Sequence, residues 1–186
     1  EVRVEVVEHD GGVTVCAVYP TPPGQRSNVC APGDEARLSV QHNDVQVEFE
    51  VKVPEGVRFE AVTVNGDVRG TDLDGDAKVS TVNGDIEVVT AGFAEASTVN
   101  GSIQASVGGR AFAGGVSFET VNGSIELDLP DDVDADLDAS WVNGGLTTDL
   151  PFDVQGRIGR RSARGVLGDG GPTLRLRTVN GSIRIR

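Results

Sequence analysis

At 186 residues the chain is long enough to bury a core of its own, and no stretch reaches the roughly 20 apolar residues that a membrane-spanning helix needs. Twenty-five glycines, six Phe, one Tyr, one Trp and no Met indicate many short strands joined by tight turns and argue against a helical bundle. The net charge of −13 is uneven: residues 1–150 hold 8 basic against 27 acidic side chains, and residues 151–186 hold 8 against 2, a polarity that can orient an association.

The chain starts at Glu1 rather than Met, so any leader or anchor is expected to have been removed or to lie outside this sequence. Residues 1–53 hold three alternating runs: EVRVEVVE from Glu1, GGVTVCAVYP from Gly11 and DVQVEFEVKVP from Asp44. In the third, Val45, Val47, Phe49, Val51 and Val53 share one face. These runs read as strands that begin and cap the array that follows. The two cysteines, Cys16 and Cys30, flank a loop rich in Pro, Gly, Ser and Asn. A disulfide is expected there, stabilising by about 3 kcal/mol on the chain-entropy model, and it suits a secreted or cell-envelope location. With two histidines, zinc lacks partners. His9 and His42 have no nucleophile nearby and read as surface residues.

From residue 54 onward a tetrapeptide recurs. TVNG stands at Thr63–Gly66, Thr81–Gly84, Thr98–Gly101, Thr120–Gly123 and Thr178–Gly181, and WVNG at Trp141–Gly144. The asparagines step by 18, 17, 22, 21 and 37 residues, so the last step is about twice the others. Repetition at this period indicates a solenoid. Asn-Gly is also the strongest short hairpin signal, but a two-residue hairpin would pair Val82 with Asp85 and Val121 with Ser124 on one face. A corner avoids that mismatch. The expected structure is therefore an all-β, single-stranded parallel β-helix, with Asn65–Gly66, Asn83–Gly84, Asn100–Gly101, Asn122–Gly123, Asn143–Gly144 and Asn180–Gly181 as corners. The valine before each Asn and the aliphatic residue after each corner would both point inward. Stacked asparagines about 4.8 Å apart would bond through their amides.

The acidic run DLPDDVDADLDAS places Asp134, Asp136 and Asp138 on one strand face. These are weak calcium candidates or paired carboxylates, but a solvated, charged edge accounts for them as well. Trp141, taken as alternating with an inward Val142, should point outward, either roofed by the loop after Pro151 or free to stack on a sugar or a partner. Residues 151–172 interrupt the array as a loop insertion. Their arginines Arg157, Arg160, Arg161 and Arg164 lack the aromatic interleaving of a nucleic-acid site. GVLGDGGP lacks the lysine and spacing of a phosphate loop. At the two ends, Arg175, Arg177, Arg184 and Arg186 form a basic edge, while Glu1, Glu5 and Glu8 mark an acidic first strand. Read as unsealed ends, they suggest head-to-tail addition.

The TVNGD and TVNGSI copies, the entry VKVPEGVRFEAVTVNGDVRG and the closing GDGGPTLRLRTVNGSIRIR resemble a bacterial adhesin-labelled family of β-strand-repeat proteins, a domain of unknown function. The likeness covers roughly residues 40–186. It implies a secreted or envelope-associated β-helix and supplies no catalytic residue. The expectation is thus one domain, residues 1–186, with an N-terminal region to residue 53 and repeats over 54–186. It would serve as a non-enzymatic, adhesin-like or structural scaffold that self-associates into a homo-oligomer or filament. No cofactor, nucleic acid or membrane insertion is expected, and a surface glycan or protein is the further candidate partner. The alternative is a carbohydrate-binding or carbohydrate-cleaving β-helix that uses the acidic face and Trp141.

Overall fold

The computed structural model describes residues 1–108, 115–151, 153–154 and 159–186; part of the 151–172 insertion, including Arg157, lies outside the described residues. The chain divides into two compact units, Glu1–Val51 and Lys52–Arg186.

In the first unit β1 (Arg3–His9) and β2 (Gly12–Val18) form an antiparallel ribbon around Asp10 and Gly11. Cys16 and Cys30 are joined by a disulfide with Cα atoms 5.8 Å apart, and both are buried with Val18. Asn28 fastens the loop: its Nδ2 donates to the carbonyls of Tyr19 and Ser39, and its Oδ1 accepts from the Ser39 amide. The ribbon is a two-stranded sheet of its own, so, contrary to expectation, these strands do not begin the array's sheets. Residues 45–53 alternate as expected in sequence yet form no strand, and Val45, Phe49 and Val51 are exposed.

The second unit begins with β3 (Phe59–Val62), β4 (Val68–Leu73), β5 (Ala77–Ser80), β6 (Ile86–Thr90), β7 (Ala94–Asn100) and β8 (Ile103–Val107). It continues through β9 (Val116–Asn122), β10 (Ile125–Asp128), β11 (Ala135–Asn143), β12 (Leu146–Thr148), β13 (Asp153–Val154), β14 (Ser162–Leu167), β15 (Thr173–Asn180) and β16 (Ile183–Ile185). Strands fall into a six-stranded sheet, ordered β12-β16-β10-β8-β6-β4, and an eight-stranded sheet, ordered β13-β14-β11-β15-β9-β7-β5-β3. Both sheets contribute to one buried cluster. Ile86, Val88, Ile103, Ile125, Leu127, Ile183 and Ile185 come from the first sheet; Val79, Ala96, Phe118, Leu137, Leu174 and Leu176 come from the second. Alternation of buried and more exposed positions, as along β8 and along β7 up to Thr98, makes this possible.

This architecture overturns the single-stranded parallel β-helix. Strands belong to three separate sheets, one of them wholly antiparallel. The eight-stranded sheet is mixed, because β14 runs antiparallel to both β11 and β13. Spatial order also departs from chain order: β15 lies between β9 and β11, and β16 between β10 and β12. The long step from Asn143 to Asn180 is thus a fold-back through β14 followed by insertion. Charge explains why the inserted pair fits. Arg177 lies 3.7 Å from Glu119, Arg184 lies 3.7 Å from Asp149, and Arg186 pairs with Glu126. The basic segment therefore meets acidic neighbours within the sheets rather than standing as an open edge, which corrects the reading of Arg175, Arg177, Arg184 and Arg186 as an unsealed end. Such exposed pairs contribute about 0–1 kcal/mol each, so they help set register more than stability.

Candidate functional site

The recurring tetrapeptides stack as rows across the two sheets, in the spatial order Asn65, Asn83, Asn100, Asn122, Asn180, Asn143. The strands on either side of each complete corner belong to different sheets, as β7 and β8 do around Asn100 and Gly101. These dipeptides therefore do not close two-stranded ribbons.

Each position of the motif has its own task. The threonine points inward: Thr81, Thr98, Thr120 and Thr178 are buried, and their hydroxyls donate to the carbonyls of Gly66, Gly84, Gly101 and Gly123 on the neighbouring row at 2.8–3.2 Å. Inward threonine continues the alternation of the strand before it, as Val116, Phe118 and Thr120 show. The valine that follows must then face out. Val82, Val99, Val121, Val142 and Val179 are 38–43% exposed and Val64 is 58% exposed, so the expectation of inward valines is corrected. Together they form an apolar stripe along the outside of the unit. Sequence reasoning missed it, although the period-two run leading into each threonine carried the signal.

The asparagines form a ladder of five amide bonds at 2.7–2.8 Å, each Nδ2 donating to the Oδ1 of the row before it. All five run in one direction. Glycine follows because the neighbouring backbone comes too close for a side chain: a Cβ on Gly101 would lie 1.9 Å from the Gly84 carbonyl oxygen. After the glycine, Asp67, Asp85, Ser102 and Ser124 accept from the next row's amides, at 2.7–3.2 Å.

Trp141 occupies the threonine position of the last row, in register with Thr178. It is buried, and shares an inward face with Ala135, Leu137 and Ala139. The expected outward side chain is therefore not found, and no ring is available there to stack on a sugar. Asp136 and Asp138 do lie on the outward face of β11, with Asp134 exposed just before it, but two of the three are engaged separately. Asp134 Oδ1 accepts from the Asp169 amide at 2.7 Å, and Asp138 pairs with Arg164 at 3.4 Å. Among the described residues no group of three or more His, Cys, Asp or Glu is placed to hold a metal ion. His9 bridges to the Thr14 hydroxyl at 3.1 Å and accepts from the Gly11 amide, bracing the β1–β2 turn. Glu5 of the acidic first strand pairs with Arg3 of its own strand. Among the described residues no helix is long and apolar enough to cross a membrane.

Comparison with known families matches residues 33–186 to the family model described as Toastrack DUF4097. No curated protein and no solved structure matches the chain.

Proposed function

We propose, from the premise that the chain belongs to the Toastrack DUF4097 family, that it is a non-enzymatic scaffold that associates head to tail with further copies of itself. The one-way amide ladder is the observation that carries this reading. It presents the Asn65 Nδ2 as donor at one end and the Asn143 Oδ1 as acceptor at the other. The six-stranded sheet that follows the corners has β4 and β12 as its outermost members, so a second copy can extend the ladder and that sheet without reversing polarity. Beyond β11 the eight-stranded sheet is already continued by β14. The motif's polar groups are otherwise engaged in holding rows together, which favours a structural role over a chemical one. The valine stripe offers an adhesive contact to a protein partner. The Cys16–Cys30 disulfide supports placement in an oxidising compartment, outside the cell or in its envelope.

Light scattering after size exclusion, over a wide concentration range, tests the proposal. Association is expected to rise with concentration and to be lost in Thr148→Pro. Gly145 O and Asp149 N face β16, so by alternation the Thr148 amide faces the free side of β12, where proline obstructs an added strand. Proline also removes the Thr148 hydroxyl, which bonds the Leu150 carbonyl and amide at 3.1 Å, so Thr148→Val is the control and is expected to keep the association. A monodisperse monomer throughout overturns the reading.

A further inference from the structure

We infer that Asn143–Gly144 is a site of spontaneous covalent modification, the intramolecular deamidation of Asn143, and that the same ladder shields the other five Asn–Gly pairs. In this reaction the glycine amide nitrogen attacks Cγ of the preceding asparagine. A new C–N bond forms and the amide proton passes to a solvent base. The Cγ–Nδ2 bond breaks, and nitrogen leaves as ammonia after taking up a proton from water. The resulting five-membered imide is opened by water at either carbonyl. One opening yields aspartate, and the other yields isoaspartate, with the backbone rerouted through the side chain. Overall one water is consumed and one ammonia released, with no change of oxidation state.

The reaction requires a glycine nitrogen free to attack and a side-chain carbonyl free to move. Five corners meet neither requirement. The amides of Gly66, Gly84, Gly101, Gly123 and Gly181 donate to the carbonyls of Asn83, Asn100, Asn122, Asn180 and Asn143 at 2.9–3.0 Å. The Oδ1 atoms of Asn65, Asn83, Asn100, Asn122 and Asn180 each accept the ladder bond from the row after them. Asn143 closes the ladder, so its Oδ1 receives no such bond and only its Nδ2 is held, by Asn180. Among the described residues nothing accepts the Gly144 amide hydrogen. Asn143 and Gly144 are also both exposed.

Exposure alone does not select the site. Asn65 and Gly66, at the opposite end, are exposed as well, yet the Gly66 amide and the Asn65 Oδ1 are both bonded. The two ends differ because the backbone amides of the corner point one way along the stack and the side-chain amides point the other. Conversion removes the Nδ2 that bonds Asn180. It also places a carboxylate at the end of the ladder, and in the isoaspartate form it lengthens the backbone between β11 and β12.

The inference does not rest on self-association, which would cover the same end, so the measurement is made at a dilution where light scattering reports a monomer. The full chain, folded with its disulfide intact, is held at mildly alkaline pH. Aspartate and isoaspartate are then quantified at each corner by peptide mass spectrometry and enzymatic methylation. The same chain unfolded in guanidinium gives the reference rates. Two bonds that must open before attack at the five shielded corners predict that folded Asn143 converts about tenfold or more faster than any other corner. In the unfolded chain the six rates should converge. Conversion at Asn65 or an interior corner as fast as at Asn143, or an Asn143 as slow as its neighbours in the folded chain, overturns the assignment.

Discussion

The two units achieve order by different means. In Glu1–Val51 the buried apolar set is Cys16, Val18 and Cys30, with Val7 packed against it, and Val4, Val6, Val13 and Val15 of its ribbon are exposed. In Lys52–Arg186 a single cluster of 24 buried residues among those described spans both sheets. A two-stranded ribbon cannot cover both its faces, so a covalent crosslink takes the place of a core. Where rows repeat, each one covers the next, and side chains no larger than valine and isoleucine fill most of the interior. Periodicity, rather than large side chains, builds the second unit.

Substitutions can break or sharpen that contrast. The largest effect is expected from Phe118→Ala, which removes the bulkiest fully buried side chain and should lower the stability of the second unit by about 3–5 kcal/mol in chemical denaturation. Next, Cys16→Ser with Cys30→Ser should cost about 3 kcal/mol in the first unit, read as faster hydrogen exchange at the amides of β1 and β2. A smaller loss, about 1 kcal/mol, is expected from Thr120→Val, which keeps the shape but leaves the Gly101 carbonyl without its 2.8 Å hydroxyl donor. If Thr120→Val instead proved neutral, the threonine would be a matter of strand geometry alone, and the contrast would rest on packing.

Much of this organisation can be read from the residues, but unevenly. All-β character follows from short alternating runs punctuated by glycine, and the Cys16–Cys30 bridge from two cysteines around a turn-rich loop. The direction of the side chains at the corners did not follow from treating valine as the apolar anchor. Ala94, Ala96 and Thr98, or Leu174, Leu176 and Thr178, keep period two through the threonine. A buried hydroxyl with a carbonyl partner is what wins at that position, and it turns valine outward. The same logic places Trp141, since Ala135, Leu137 and Ala139 already set the inward face of β11. Strand order was beyond local pattern. Nothing within residues 173–186 says that they will lie between two strands formed by earlier residues; only the acidic side chains on both neighbours hint at it, and those are far away in sequence. Residues 45–53 show the converse, with a clear alternation that finds no pairing.

The insertion of β15 and β16 bears on how the molecule comes into being. Residues 173–186 are synthesised after both of their flanking neighbours, so the second unit cannot be wound up one turn after another as the chain emerges. A cleft between β9–β10 and β11–β12 must either be held ajar until its occupant arrives or be closed provisionally and reopened. Closure brings together residues as distant as Thr120 and Thr178, a long-range step of the kind that slows folding and leaves edges unpaired meanwhile. Biogenesis of this fold therefore has a last, decisive event, the seating of a basic strand pair in an acidic berth.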